Sequence, residues 1–294
     1  MPCDEAWDIA SLLRGVGHHG WGGAGDFNRL LNQGGSPVVY IPMGVVCLRR
    51  LVAIRVAFMT HGLFVVGVGA MVLSLFDGLR SGLGPFHGRA ALAANLLLVL
   101  QYPVLHSFGL TDRGRRLLAR LAPRAFARDL SASLYVAFAS FQLLCVFALW
   151  SPTGVVLWEA QAGLRALSIG LYTGSWLLLA KAMQDAGLPV QMGFLGWRAV
   201  WRGEPPRYGP MPEQGLFRWC RQPVYIAFAL TLWTGPRLTL DRLLIAIPWT
   251  AYCVLGPLLK ERRYFALYGA RFAAYRERVP YWLPRFSARS LARR

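Results

Sequence analysis

Long apolar runs are the feature that most limits what this chain can fold into. Three of them match the roughly 20 residues that a helix needs to cross a bilayer, and a fourth is shorter. They cover residues 56–76, 90–110, 131–150 and 166–180. Only 16% of the 294 residues are charged, whereas a soluble domain carries about 25% charge. The sequence therefore predicts an integral membrane protein and excludes a disordered chain.

The last apolar region, 223–259, is interrupted by a Gly-Pro-Arg sequence at 235–237 and by Asp241-Arg242. Because such residues end apolar helices, the region predicts two short helices that form a hairpin, 223–235 and 243–259. We therefore expect an all-α polytopic membrane helix bundle with about six crossings. The last two helices form the hairpin, and a cytoplasmic interfacial helix follows them.

Basic residues alternate along the chain in a pattern typical of membrane topology. Of the 32 Lys and Arg residues, 27 lie in the odd-numbered segments between the apolar runs. The positive-inside rule then places both termini in the cytoplasm, and the preference for Arg over Lys suggests a bacterial inner membrane. Trp150 and Trp158 are expected at the opposite membrane interface. The net charge of +18 thus predicts contact with membrane lipids and no nucleic-acid partner.

Three parts are expected along the chain. They are a flexible cytoplasmic N-terminal extension (1–52), a four-helix transmembrane part (53–183), and a cofactor-binding hairpin with a C-terminal cytoplasmic helix (184–294). The five cysteines include no CxxC pair. Neither a disulfide framework nor a metal site is therefore expected, and no protein partner can be inferred from the sequence.

Few of the 14 acidic residues lie where chemistry near a membrane is expected. Asp77, Glu159 and Asp241 are assigned to turns on the far side of the bundle. Glu261 stands apart because it closely follows the apolar run that ends at Leu259, and a carboxylate at a membrane is costly. Two interpretations stay open for Glu261: a functional carboxylate, or a boundary charge paired with a neighbouring arginine.

Two further patterns lie near Glu261 in the predicted fold. Pro223 suits the first turn of a helix, so Arg221 lies at a helix N-terminus, where free N–H groups and a guanidinium bind anions. A positive-inside anchor is the commoner role of an arginine in this position and stays open as the alternative. In the tail, aromatic residues recur at spacings of three or four and line one helical face with Glu261, either for packing or to surround a cation. This stripe comprises Tyr264, Tyr268, Phe272 and Tyr275.

The order of these motifs resembles a known family. An Arg-x-Pro-x-Tyr helix start, a short hairpin, Glu-Arg and then Tyr-Gly-x-x-Phe-x-x-Tyr-Arg-x-x-Val-Pro are similar to the integral-membrane S-adenosylmethionine (SAM) methyltransferases related to isoprenylcysteine carboxyl methyltransferase. The branch that the chain most resembles contains the bacterial methanethiol S-methyltransferases and NnrU-type proteins. The likeness spans 56–284 and includes upstream residues: Asn95, Leu105-His106-Ser107, Ser133-Leu134-Tyr135 and Trp150-Ser151-Pro152.

The resemblance implies a SAM site on the cytoplasmic side, made by the last two helices and the tail. It implies that Arg221 holds the carboxylate of SAM and that Glu261 takes the ammonium or the ribose. The implied cofactor-binding set is Arg221, Gln222, Pro223, Tyr225, Glu261, Tyr264 and Tyr275. The implied catalytic candidates are Glu261, Arg262, Arg276 and His106, with the arginines favouring a thiolate and the histidine at the substrate entrance.

Methyl transfer from SAM to a small or lipophilic thiol is the function that the resemblance implies, with methanethiol to dimethyl sulfide as the leading case. Methylation of an isoprenylcysteine or a lipid on O, N or S is the related alternative. A non-catalytic NnrU-like membrane protein is another. Two departures from the family pattern favour the non-catalytic alternative: Gln222 replaces a histidine, and Lys260 replaces the first residue of a Glu-Glu pair.

Overall fold

The computed structural model describes residues 43–282. Residues 1–42, which form most of the expected N-terminal extension, and residues 283–294 lie outside the described part, and the first of the described helices begins at Met43. The helices are α1 Met43–Asp77, α2 Gly88–Gly109, α3 Asp112–Ala119, α4 Ala127–Ala148, α5 Ala162–Asp185, α6 Leu188–Gln191, α7 Phe194–Arg202, α8 Pro223–Trp233, α9 Leu240–Tyr268 and α10 Ala270–Arg278. Two short strands, β1 Val156–Glu159 and β2 Arg237–Thr239, pair antiparallel.

Five helices of the described chain are long and apolar enough to cross a membrane, namely α1, α2, α4, α5 and α9. The helix α8 has only 11 residues and is a shorter apolar helix beside them. The expected all-α polytopic bundle is therefore confirmed. The span that contains α4 is the most buried, with 56% of its apolar window inside the protein, so α4 is the centre of the bundle.

Several local expectations are corrected by the structure. Asp241-Arg242 does not break the last helix but lies in the first turn of α9, because Thr239 caps that helix by accepting a hydrogen bond from Arg242 N at 3.0 Å. Trp150 does not face lipid or water, because its side chain is fully buried inside the protein. The Gly- and Pro-rich segment before α8 contains two helices, α6 and α7, which its composition concealed.

Packing between α2 and α9 depends on one proline of α2 and one indole of α9. Pro103 lies inside α2 and has no N–H to donate to the carbonyl of Val99. Trp249 of α9 donates its indole N–H to that carbonyl at 3.0 Å. A free carbonyl would be costly in an apolar bundle, so this bond fixes α9 against α2. Pro248 and Pro257 lie inside α9 itself.

The closed end of the α8–α9 hairpin is fixed by Arg242, which is 1% exposed. Its guanidinium donates to the carbonyls of Leu232 and Arg237, both at 2.8 Å, and to that of Thr234. The last carbonyls of a helix have no partner within it, so Arg242 caps α8 from α9. These bonds make the closed end of the hairpin rigid. The position of its open end is fixed as a result.

A polar cluster surrounds the N-terminus of α9, here named the Asp241 cluster. The carboxylate of Asp241 accepts from Trp150 Nε1 at 2.9 Å and from Thr153 N and Oγ1 at 3.0 and 2.7 Å. Asn95 exchanges two hydrogen bonds with the backbone of Ser151, at 2.7 and 2.9 Å. The cluster therefore ties α2, the chain after α4 and the start of α9 together.

Candidate functional site

The open end of the hairpin brings the start of α8 beside the last turns of α9. Arg221 and Gln222 precede Pro223, the first residue of α8, and Glu261 lies two turns before α9 ends. Both Gln222, at 1% exposure, and Glu261, at 9%, are buried. We name Arg221, Gln222 and Glu261 the Glu261 site.

Three donors hold the carboxylate of Glu261. Arg221 donates through Nε at 2.8 Å and through Nη2 at 3.4 Å. Gln222 Nε2 donates at 2.8 Å to the same oxygen that accepts from Arg221 Nε. The amide oxygen of Gln222 is buried and has no hydrogen-bond partner within residues 43–282. A charged pair with a vacant acceptor beside it is suited to bind a polar ligand.

The chain after α10 closes over the start of α8. The backbone N–H of Arg221 donates to the carbonyl of Pro280 at 3.0 Å. Its guanidinium also donates to the carbonyls of Val279 at 2.6 Å and Arg276 at 3.2 Å. The side chain of Arg221 therefore bridges α9 and the end of α10. Its contacts bring the backbone of Val279 and Pro280 close to the site.

The spacing predicted that the aromatic stripe of the tail lies on one continuous helix. The structure instead divides the stripe between α9 and α10. The backbone of Gly269 has φ of +48°, which ends α9 and starts α10. The aromatic residues still meet: Tyr264 contacts Tyr268 and Phe272 edge-on, at ring distances of 5.5 and 5.8 Å. The turn at Gly269 thus folds the stripe into a compact cluster beside Glu261.

Tyr275 has a structural task within this cluster. It is 3% exposed, and its hydroxyl donates to the carbonyl of Phe217 at 2.8 Å. Burial raises the pKa of the Tyr275 hydroxyl, so it stays a neutral donor. Burial also raises the pKa of the neighbouring Cys220 thiol and keeps it protonated. Neither group is a nucleophile in this arrangement.

Lys260 points into a ring of aromatic side chains next to Glu261. Its Nζ lies 5.7, 5.5 and 5.4 Å from the ring centres of Phe217, Tyr225 and Tyr264. In the sequence, Lys260 stands out only as a departure from the family pattern, and Phe217 is not among the predicted site residues. A signal was present, because Lys260 is one of only two lysines in a chain rich in arginine.

His106 belongs to a second polar group, between α2, α4 and α9. Its Nε2 is 2.9 Å from the hydroxyl of Tyr135, and Ser107 Oγ is 3.1 Å from the hydroxyl of Tyr252. His106 Nδ1 is buried without a hydrogen-bond partner in the described chain. No hydrogen bond joins His106 to the Glu261 site within residues 43–282. Arg263 lies within electrostatic range of both His106 and Tyr225.

The two arginines proposed as thiolate-stabilising residues are both exposed. Arg262 lies on the outer face of α9, and Arg276 lies on α10. Arg276 lines an open cavity of about 210 Å³ that also contains Arg221 and Tyr281. A smaller cavity of about 10 Å³ lies between Gln222, Glu261 and the aromatic cluster. The structure therefore brings Arg276, but not Arg262, to the edge of the site.

Comparison with known proteins finds methanethiol S-methyltransferases and nurim. Methanethiol S-methyltransferase 2 of Bradyrhizobium diazoefficiens is 30% identical over 202 residues, which are 68% of this chain and 75% of that protein. Methanethiol S-methyltransferase of Mycobacterium tuberculosis is 29% identical over 197 residues, 66% and 78% of the two chains. Nurim of Rattus norvegicus is 33% identical over 182 residues, 59% and 68%. No family model and no solved structure matches the chain.

The fold, the buried charged site and these relatives together define a class, the integral-membrane methyltransferases. The resemblance noted in the sequence is thereby confirmed. More narrowly, the chain belongs to the family that contains the methanethiol S-methyltransferases and nurim.

Proposed function

We propose that this protein transfers the methyl group of SAM to a small or lipophilic thiol, with methanethiol as the leading acceptor and dimethyl sulfide as its product. The Glu261 site carries the proposal, since it holds a guanidinium and a carboxylate 2.8 Å apart in a buried position. The amino-acid end of SAM has the complementary carboxylate and ammonium. It can exchange partners with Arg221 and Glu261 without leaving a buried charge unpaired.

The residues of the site fit SAM in chemistry. Gln222 offers a vacant acceptor, and Tyr225 and Tyr264 offer aromatic faces. The space is small, because the cavity of about 10 Å³ beside Glu261 has room for about one water molecule. Entry of a ligand as large as SAM therefore requires the side chain of Lys260 to move. The open cavity of about 210 Å³ next to Arg221 is the adjacent free space.

Each residue has a definite part in this proposal. Arg221 binds a carboxylate just before α8, where the helix N-terminus also favours an anion. Glu261 accepts hydrogen bonds from the ammonium or the ribose. Bound SAM supplies a methyl group activated by its positive sulfur. The rings of Tyr225 and Tyr264 orient the cofactor, and positioning supplies most of the rate gain in a methyl transfer.

The acceptor thiol reacts as its thiolate, which nearby cations favour. We assign Arg263 to this task in place of the exposed Arg262 and Arg276, because Arg263 lies within electrostatic range of both His106 and Tyr225. The vacant Nδ1 of His106 is the acceptor we assign to the hydrogen bond of the thiol S–H, and the proton passes to water as the thiolate forms. An apolar bundle that opens to lipid suits a small, neutral thiol.

The distribution of Lys and Arg supports a bacterial inner-membrane protein with both termini in the cytoplasm. In that orientation the Glu261 site faces the cytoplasm, where SAM is made. Membrane lipids are then the natural contact of the remaining apolar surface.

Headspace detection of dimethyl sulfide tests the proposal. Detergent-purified protein is supplied with SAM and methanethiol, and the variant Glu261→Gln is compared with Glu204→Gln, which changes an exposed carboxylate. We expect product from the wild-type protein and from Glu204→Gln, and at least a hundredfold less from Glu261→Gln. A folded wild-type protein that methylates no member of a thiol panel contradicts the proposal.

A non-catalytic membrane protein is the second candidate. The observation that favours it is the ammonium of Lys260, which lies among aromatic rings next to Glu261 where space for a ligand is small. Absence of SAM binding by a well-folded preparation distinguishes this candidate from the enzyme.

A further inference from the structure

Phe217, Tyr225 and Tyr264 form what we name the three-ring cage, around the ammonium of Lys260. The rings come from three separate elements: the turn Gly215–Arg218, α8 and α9. Their centres lie 5.4 to 5.7 Å from Lys260 Nζ, within the range of a cation–π contact. A cation surrounded by three rings from three elements is a built arrangement and not a chance contact on one helix.

Contacts that do not involve Lys260 hold the cage in place. The carbonyl of Phe217 accepts from the hydroxyl of Tyr275 at 2.8 Å. The N–H of Leu216, beside Phe217, donates to Asp185 at 2.9 Å. The ring of Tyr264 packs edge-on against Phe272. The backbone at Phe217, whose side chain is buried, and the ring of Tyr264 are thus held by their own neighbours, so the cage is expected to persist when the lysine leaves it.

An ammonium is a poor match for this cage. It carries three N–H donors, yet within residues 43–282 Lys260 Nζ makes one hydrogen bond, a long one of 3.4 Å to the carbonyl of Arg221. A trialkylated cation, such as a sulfonium, has no N–H to satisfy. Aromatic cages are the usual way in which proteins recognise such cations.

We propose that the three-ring cage is a binding subsite for a sulfonium, and that Lys260 is a tethered cation that fills it until a cationic ligand displaces the ammonium. This inference rests on the proposed function, because it assigns the cage to the sulfur end of SAM beside the Arg221–Glu261 pair. Because its ammonium competes for the cage, Lys260 then lowers the affinity of the site for cationic ligands.

The simple cation trimethylsulfonium tests the cage without requiring that SAM binds. Its binding is measured by calorimetry on detergent-purified wild-type protein, Lys260→Ala, Lys260→Ala with Tyr264→Ala, and the matched control Lys181→Ala. We expect Lys260→Ala to bind at least tenfold more tightly than the wild type or Lys181→Ala. The double variant is expected to lose that gain, and tert-butanol, a neutral molecule with three methyl groups, to bind no variant preferentially.

Equal trimethylsulfonium binding by Lys260→Ala and wild type overturns the inference, as does a gain that survives loss of Tyr264. If SAM fails to bind while trimethylsulfonium binds to Lys260→Ala, the proposed function fails and the cage stands. The opposite pattern leaves the function and removes the cage.

A measurement on the wild-type protein covers the case in which Lys260→Ala does not fold. Amine-reactive labelling read by mass spectrometry reports on the two lysines, Lys181 and Lys260. We expect Lys260 to label at least tenfold more slowly than Lys181, which is exposed, and saturating trimethylsulfonium to speed the labelling of Lys260 alone. Unchanged labelling of Lys260 counts against displacement.

Discussion

The helix α9 carries a buried carboxylate near each end, and the two carboxylates have very different hydrogen-bond partners. At its N-terminus, Asp241 accepts three short hydrogen bonds from Trp150 and Thr153, all from groups that are themselves held in place. Near its C-terminus, Glu261 is shared between Arg221 and Gln222, and the amide oxygen of Gln222 has no partner in the described chain. Twenty residues of helix separate them, about 30 Å.

This difference distinguishes a buried charge that has a structural role from one whose partners a ligand can replace. All donors around Asp241 belong to rigid parts of the fold, so no ligand is needed to complete it. The Glu261 site contains opposite charges that a zwitterion can replace one by one, and two cavities adjoin it. Burial and charge alone do not separate these cases. What separates them is whether the partners are already complete.

Removing the carboxylate of Asp241 is expected to have the largest effect. In Asp241→Ala, the buried indole N–H of Trp150 and two half-buried donors of Thr153 lose their acceptor, at about 1–3 kcal/mol for each unsatisfied buried group. The free energy of unfolding should therefore fall by at least about 3 kcal/mol, measured by SDS titration in mixed micelles. A loss below about 1 kcal/mol removes the structural reading of this end.

Neutralising Glu261 is expected to affect binding more than folding. Arg221 keeps its hydrogen bonds to Val279 and Arg276 in Glu261→Gln, so we expect a stability loss of about 1 kcal/mol. The thermal stabilisation that SAM gives the wild type should vanish in this variant. A loss of stability as large as that of Asp241→Ala would erase the contrast between the two ends.

The middle of α9 is expected to behave like its structural end. In Trp249→Phe the carbonyl of Val99 loses its donor, at about 1–2 kcal/mol. The control Trp233→Phe changes an exposed indole that bonds to Thr250 and should cost less than about 0.5 kcal/mol. Both are measured by the same SDS titration, and equal losses would show that the α2–α9 bond contributes nothing.

The smallest expected effect is a pH dependence beside the Asp241 cluster. A hydrogen bond from Arg237, at 2.8 Å, holds the pKa of Glu159 below its ordinary value of 4.5. The stabilisation is then complete above about pH 4.5 and is lost as the pH falls through the lowered folded pKa. The thermal midpoint should fall less steeply with acid in Glu159→Gln than in the wild type; identical slopes contradict this.

The helix bundle was predictable because its apolar runs have the length of a bilayer crossing, a property that depends on local sequence alone. Glu261 and Arg221 were predictable for the same reason: each stands at the end of an apolar helix. The burial of Asp241 was not predictable, because it depends on contacts with Trp150 and Thr153, which lie about 90 residues away in the chain.

The three-ring cage lay beyond the sequence for a similar reason. Tyr225 and Tyr264 were named as candidates, but Phe217 comes from a turn whose position depends on contacts with Tyr275 and Asp185. The departure at Lys260 was visible, and only the fold shows where its ammonium lies. The break at Gly269 was hidden by regular aromatic spacing on both sides of it.

Calorimetric titration of SAM into the detergent-purified protein tests the central claim most directly, with Arg221→Ala as the comparison. We expect micromolar binding by the wild type and at least a tenfold loss in Arg221→Ala, since that variant removes the guanidinium assigned to the SAM carboxylate. No binding by a wild-type preparation that unfolds cooperatively would contradict the claim and favour a non-catalytic membrane protein.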